Sequence, residues 1–281
     1  WQNWGEHQLS GLMALLPSAI LASSPHNTQP WLFQLSDSKI EVFADSERNL
    51  GSFDPYLREM HIGLGCAIEN IVVAAPGFGY VVEVQYHDRA LTGSLEQAGS
   101  LPVATLSFTQ QQAEQHPLYS LIPQRHTYRG AYKRDKPVDQ SLLARFQKIA
   151  AEEGVELELF STAEERAPFD RLMMQATTHI VADQQMVHDS ESWFRFNASD
   201  IEQFRDGVTM DSVGLPGLMT TAAKILPPLS PEQGHEIWLN TTRDTHLSTA
   251  PVTAMLLVPD RYSAMANMRV GRVWQRLHLM A

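Results

Sequence analysis

Two short polar segments, about a hundred residues apart, constrain this chain more than any other feature. The first, Leu21-Ala22-Ser23-Ser24-Pro25-His26-Asn27-Thr28-Gln29-Pro30-Trp31-Leu32-Phe33, packs small hydroxyls, an amide pair and a Trp into one bend. Pro25 and Pro30 stiffen that bend and lower the ordering cost of anything it binds. The second, Arg125-His126-Thr127-Tyr128-Arg129-Gly130, sets two arginines around a hydroxyl. In an extended segment positions 125, 127 and 129 project the same way, so one face carries guanidinium, hydroxyl, guanidinium. A terminal phosphate is held by such charge-assisted donors at fixed geometry. The plain alternatives are a helix-to-strand connector for the first segment and a solvated basic turn, beside Lys133, Arg134 and Lys136, for the second.

The background sharpens the second segment. The net charge is −11, which argues against nucleic acid or an anionic membrane as the main partner and makes a local basic cluster stand out. The 281 residues, 43% hydrophobic, suffice for one large domain or two small ones. The single cysteine, Cys66, excludes an intrachain disulfide and sits in an apolar helical pattern, where a buried inert thiol is expected. No apolar run reaches the roughly 18 residues of a membrane span, and patches such as Ile68 to Ala75 read as buried helix. A cytoplasmic location is expected, with an export signal left open, because the chain opens at Trp1 without a methionine. The apolar pattern Met268 to Ala281 stops without a terminator, and native sequence is expected beyond it.

Periodicity predicts a short helix over Leu9 to Ala22, a hairpin of Trp31 to Leu35 and Lys39 to Phe43, and a helix start at Asp54-Pro55. A long helix over Arg58 to Ala75 ends at Pro76-Gly77, and strands follow at Tyr80 to Tyr86 and Val103 to Phe108. Polar Gln110 to Pro117 marks a boundary between halves 1–115 and 116–281. The second half reads as a helix at Ser141 to Glu152, a strand at Val155 to Phe160 with Glu156 and Glu158 outward, and a helix over Ala163 to Asp189. A short helix at Glu191 to Phe196, a loop at Asp206 to Pro216, a helix up to the Pro227-Pro228 break, a buried strand at Pro251 to Val258 and a helix from Arg261 follow. The halves form a loose duplication of strand, long helix and strand.

Other chemistries are poorly represented. There is no Walker loop, dinucleotide glycine fingerprint or Gly-x-Ser-x-Gly elbow, and His235-Glu236 lacks the second histidine of a zinc helix. His188-Asp189 and His246 read as ordinary surface residues. The amides of Asn27 and Gln29 can match the carbonyl–imide–carbonyl edge of a flavin, and Ser23 and Ser24 can donate to phosphate or ribityl oxygens. In Met210-Asp211-Ser212-Val213-Gly214-Leu215-Pro216-Gly217-Leu218, Gly217 lacks the side chain that would keep its N–H from a flat ring. A flexible surface loop would have the same composition.

Taken together, the three segments resemble the nitroreductase family of flavin mononucleotide (FMN) proteins. Arg125, Thr127 and Arg129, with His126 between them, match the family's phosphate segment. Ser23, Ser24, Asn27, Gln29, Pro30 and Trp31 match its Ser-Ser-x-Asn loop, and Asp211, Ser212, Val213 and Gly217 its N5-facing loop. Pro216 stands where the family usually has an acid. The order of loop and Arg segment is reversed, which resembles the internally fused, Acg-like group, as do Asp54-Pro55-x-x-Arg58-Glu59 and Arg205-Asp206-Gly207-Val208.

The resemblance implies an α+β fold of two nitroreductase-like halves, a pseudo-dimer with mainly antiparallel sheets flanked by helices. One complete FMN site would combine Ser23, Ser24, Asn27 and Gln29 from the first half with Arg125, His126, Thr127, Arg129 and Gly217 from the second. It also implies ping-pong hydride transfer from NADPH or NADH through flavin N5 to a nitro-aromatic, quinone or other small-molecule acceptor, with no catalytic side chain and no metal. The alternative is an FMN storage protein whose flavin lies under a lid, with Leu91 to Leu101 and Ala222 to Gly234 as lid candidates. The assembly would be a monomeric pseudo-dimer or a homodimer.

Overall fold

The alternation of Trp31 to Ala44 folds as the expected hairpin. In the computed structural model, which describes residues 9–133, 136–214 and 231–281, strands β1 (Trp31–Leu35) and β2 (Lys39–Ala44) pair antiparallel, Trp31 opposite Ala44. Ile40, Val42 and Ala44 turn inward and are buried, as period-two alternation requires. Strands β3 (Tyr80–Tyr86) and β4 (Ala104–Gln110) complete an antiparallel sheet of order β1-β2-β4-β3. Ahead of it, the predicted helix over Leu9 to Ala22 is shorter: a 3-10 turn, Gly11–Leu15, leads into α1 (Leu16–Ala19).

The sheet packs on helix α2 (Arg58–Ala74). Asp54-Pro55 does not open this helix. Leu57 takes a left-handed conformation (φ 58°), and the Asp54 carboxylate reaches past it to accept from the N–H groups of Arg58 (2.8 Å) and Met60 (3.0 Å). A side-chain cap supplied from four residues upstream replaces the expected proline start. The Arg58–Phe78 stretch is long and apolar enough to pass as a membrane span, contrary to the sequence expectation, but 72% of its apolar window is buried inside the fold.

Helix α2 crosses the last helix (Ala264–Met280, numbered α9 below) at very short range. A Cβ on Gly65 would collide with the Met268 carbonyl, and one on Gly271 with the Ile62 carbonyl, so both crossing points need glycine. The seam is polar as well as tight. Glu69, 1% exposed, accepts from Arg272 Nε (2.8 Å) and Arg276 Nε (2.6 Å), while Asn70 accepts from Gln275 Nε2 (2.8 Å). Glu153 and the Tyr86 hydroxyl share Arg272 Nη1, each at 3.0 Å, so the buried charges are paired. Burial works to lower the Arg272 pKa, but Glu69, Tyr86 and Glu153 together hold it above its ordinary value.

In the second half, α4 (Gln140–Glu152) and β5 (Glu156–Phe160) fall where predicted, with Glu156 and Glu158 exposed. The expected single helix over 163–189 is two helices, α5 (Ala163–Ala182) and α6 (Gln184–Glu191). Asp183 leaves helical geometry and caps α6 by accepting from Gln185 N and Met186 N, a turn chemistry that outweighs apolar spacing. The predicted helix at Glu191 to Phe196 is instead β6 (Phe194–Arg195), paired in parallel with β7 (Val208–Thr209) across α7 (Ala198–Phe204). Strand β8 (Thr253–Leu257) pairs antiparallel with β5 and is half-buried rather than buried, because this sheet has two strands among the described residues. Helix α8 (Pro231–Thr241) precedes it. Gly217, the Pro227-Pro228 break and Ala222 to Ser230 of one lid candidate lie outside the described residues. The other lid candidate carries α3 (Leu95–Ser100), where Ala98 O accepts from Arg89 Nη2 (3.0 Å) and Gly93 backs onto Pro55.

Candidate functional site

The bend after α1 is an unusual piece of backbone. His26 (φ 47°), Asn27 (φ 54°) and Gln29 (φ 54°) all adopt left-handed conformations without being glycine. Such residues cost energy that the surroundings must repay, and they gather at binding sites. Local bonds hold part of the shape: Ser24 Oγ accepts from Gln29 N (3.0 Å), and Asn27 N donates to Ser24 O (3.0 Å).

The rest is held from 180 residues away. Asn27 Nδ2 donates to Gly207 O (3.2 Å) and Gly207 N donates to Asn27 O (3.1 Å), while Gln29 Nε2 donates to Arg205 O (2.8 Å). Both amides thus anchor the 205–207 backbone, itself left-handed at Arg205 and Gly207. Asp206 locks this joint. Its Oδ1 accepts from Arg195 Nε (3.0 Å) and Nη2 (2.7 Å), and its Oδ2 from Arg48 Nη1 (2.9 Å), which also donates to Thr28 O (3.0 Å). The His26 ring bonds Ser190 Oγ (2.8 Å) and sits edge-on to Phe53. Burial, then the charge of Arg129, pulls the His26 pKa down to about 4, so the ring is neutral at pH 7. That effect of Arg129 brings the two sequence segments into one neighbourhood.

Arg129 is fixed by the third segment. Its Nη1 donates to Ser212 O (2.8 Å), its carbonyl is bonded by His246 Nε2 (3.1 Å), and Gly214 (φ 80°) backs onto that carbonyl with no room for a Cβ. His246 is therefore no ordinary surface residue. Nor is Asp189, which accepts from Ser52 N (2.8 Å) and Ser52 Oγ (2.7 Å). The 3-10 turn Met210–Ser212 supplies the carbonyl that Arg129 holds. Thr127 and His126 are exposed, with His126 Nδ1 3.2 Å from Gln124 O.

Arg125 differs from its neighbours. Its Nε and Nη1 are shielded from solvent and have no hydrogen-bond partner. Burial lowers its pKa from the ordinary guanidinium value, which marks a charge still lacking its counter-ion. Two more shielded atoms lack partners close by in the fold: Ser23 Oγ and His278 Nδ1. Ser23 N donates to Gln275 Oε1 (3.1 Å) on α9, three residues before His278, and the charge of Arg125 acts on both His278 and Cys66. Buried polar groups are normally satisfied, so these unpartnered atoms on Arg125, Ser23 and His278 mark a candidate anion site. Cys66 is inert as expected: its Sγ donates to Gly271 O (3.2 Å), and burial pushes the thiol up to about 12. Among the described residues no His, Cys, Asp and Glu cluster could hold a metal.

Sequence reasoning missed Arg48, Arg195 and His278. Asp206 was visible only as one letter of a resembling motif, beside a glycine that hinted at the turn.

No family model matches the chain. Two curated proteins of Mycobacterium tuberculosis, from strains CDC 1551 / Oshkosh and ATCC 25618 / H37Rv, are each 29% identical to it over 180 residues. Both carry the name "Putative NAD(P)H nitroreductase". The similarity supports a nitroreductase-family protein. The α+β fold, with an antiparallel sheet flanked by helices, is consistent with it. The match covers 64% of this chain and 49% of each relative, so the chain spans about half the length of the curated relatives it matches.

Proposed function

We propose that loop 23–29 and segment 125–129, with Gly217 beyond them, form one FMN site, and that the protein built on it is an NAD(P)H-dependent oxidoreductase. The relatives' names support the general NAD(P)H-dependent oxidoreductase. The observation that carries FMN is the pair of unpartnered, shielded donors Arg125 and Ser23, one from each segment. A phosphate monoester satisfies both, and a neutral ligand would leave the guanidinium uncompensated.

When bound, FMN supplies the hydride-accepting and hydride-donating centre. The chain's own residues bind and place it. Arg125 and Ser23 hold the phosphate, and Arg129, fixed through Ser212 and His246, keeps a cation beside the His26 turn. No side-chain acid or base is assigned; catalysis is the placement of two flat rings against each other. The acceptor is a nitro-aromatic, quinone or similar small molecule, in a cytoplasmic protein that is a pseudo-dimer or pairs with a second copy.

The Arg125→Ala, Arg129→Ala double variant is expected to purify without the yellow flavin that the unaltered protein carries, and full retention of FMN by that variant would overturn the site. In the unaltered protein, rapid anaerobic bleaching by NADPH or NADH supports a reductase. A flavin that binds but stays oxidised with both donors points to a lidded carrier instead.

A further inference from the structure

Among the shielded, unpartnered atoms that the FMN reading leaves unused, one lies on the helix that holds the backbone of Ser23. His278 lies on the last helix, outside every segment that resembles the family pattern, and its shielded Nδ1 has no partner. It shares a helix face with Gln275, which holds the backbone of Ser23. Trp274 covers its ring, with centroids 4.5 Å apart. The nearby Leu279 side chain packs in one buried cluster with Leu21, Val73 and Ile122, so the ends of loop 21–24, helix α2 and the turn before Arg125 meet here.

The charged neighbours can be named element by element. From the 125–129 segment, Arg125 and His126 act on His278. From α2, Cys66 is an uncharged thiol, and Glu69 is committed to Arg272 and Arg276. Loop 21–24 carries no titratable side chain. On its own helix, the flanking Trp274 and Gln275 are neutral. His278 therefore faces the guanidinium of Arg125 and, among these described residues, no anion that is not already paired. Burial, Arg125 and His126 bring its pKa down to about 4, so the ring is neutral before any ligand arrives.

We propose that His278 is a phosphate-binding residue of this site and that it takes up one proton from solvent as the phosphate seats. The inference rests on the FMN reading. A dianion placed among Ser23, Arg125 and His278 cancels the charge that repels a proton from the imidazole and gives the new N–H an acceptor. The balance is simple: protein plus flavin phosphate plus one proton gives the complex, with no other bond made or broken. His278 then distinguishes a flavin that carries phosphate from one that does not.

The test is calorimetric titration of FMN into flavin-free full-chain protein at pH 7.5, in buffers of different ionisation enthalpy. Riboflavin serves as the phosphate-free probe. The unaltered protein is expected to take up about one proton per FMN and none per riboflavin. His278→Gln is expected to take up none and to bind FMN roughly tenfold more weakly, with riboflavin binding unchanged. FMN binding without proton uptake in the unaltered protein overturns the inference, whatever the variant does, and leaves the FMN site standing. Uptake that persists in His278→Gln overturns it equally. Failure of the unaltered protein to bind FMN at all overturns the FMN reading and this inference together.

Discussion

The joint between loop 26–29 and segment 205–207 can be broken with one substitution, Asp206→Asn. Asp206 is 8% exposed and balances two guanidinium groups. Removing one partner of a fully buried pair costs about 3–5 kcal/mol, because the other charge stays buried and uncompensated. Two offsets apply. The Arg48 side chain is 36% exposed and can turn to water. Arg195 keeps the Ser192 and Phe194 carbonyls and lies over the rings of Trp193 and Phe204. The asparagine amide can still accept from Arg195, but its NH2 then faces Arg48 donor to donor. The loss should be about 2 kcal/mol of stability, equivalent to a fall in Tm of about 4–8 °C. Because Asn27 and Gln29 are held by that same backbone, FMN affinity should fall with it. Urea unfolding and a fluorescence titration of FMN measure the two effects, with Asp37→Asn on the exposed hairpin turn as the control for charge. A stability change within about 0.5 kcal/mol together with unchanged FMN affinity would refute the claim that this joint shapes the loop.

Two further predictions concern the scaffold. Gly271→Ala should destabilise by about 1–3 kcal/mol or more, since its Cβ meets the Ile62 carbonyl rather than a movable side chain. Gly234→Ala, in open space on α8, should stabilise by up to about 1 kcal/mol; urea denaturation separates the two outcomes. His26, His61 and His278 all titrate near 4 in the folded protein, with burial the largest cause in each. The unfolded chain, with histidines near about 6.5, binds more protons between those values. Stability should thus be full above pH 6.5 and fall as pH drops toward 4. Glu59 opposes this: burial, then Asp54, raises it to about 7, so its contribution is present at low pH and lost as pH rises through 7. Glu59→Gln should stabilise the protein at pH 8 and steepen the acid loss, and an unchanged pH profile would contradict both assignments.

The first half of the fold was legible because its signals are local. A period-two pattern around Ser36-Asp37-Ser38 specifies the hairpin, and an apolar run closed by Pro76-Gly77 specifies α2. The misreadings in the second half share a cause: a polar side chain redirected the backbone where apolar spacing suggested continuity. Asp183 splits one helix into two, and the Asp206 joint draws Val208 alongside Phe194, turning a predicted helix into a parallel bridge. The same limit applies to the site. The face of 125, 127 and 129 is readable from strand geometry, and so is the small-residue bend at 23–29. That Asn27 and Gln29 hold backbone about 180 residues away, or that Arg125 alone of its segment has shielded donor atoms without a partner, depends on helix packing that no local pattern encodes.

That packing explains why the two segments meet at all. Gly65 and Gly271 let α2 and α9 cross at backbone contact, and this fixes what lies at each end of the crossing. Toward its C-terminal end α9 presents Gln275 to Ser23 and His278 to the Arg125 side. Two residues before the Gly65 crossing, Gly63 lies against Ser24 and Pro25. Between these contacts the buried Glu69–Arg272–Arg276 cluster admits no sliding of one helix along the other without stranding a charge. A shift of even one residue would carry Gln275 away from Ser23. The anion site is therefore a consequence of helix register, and substitutions at the crossing should lower phosphate affinity even where they touch none of the residues that bind it.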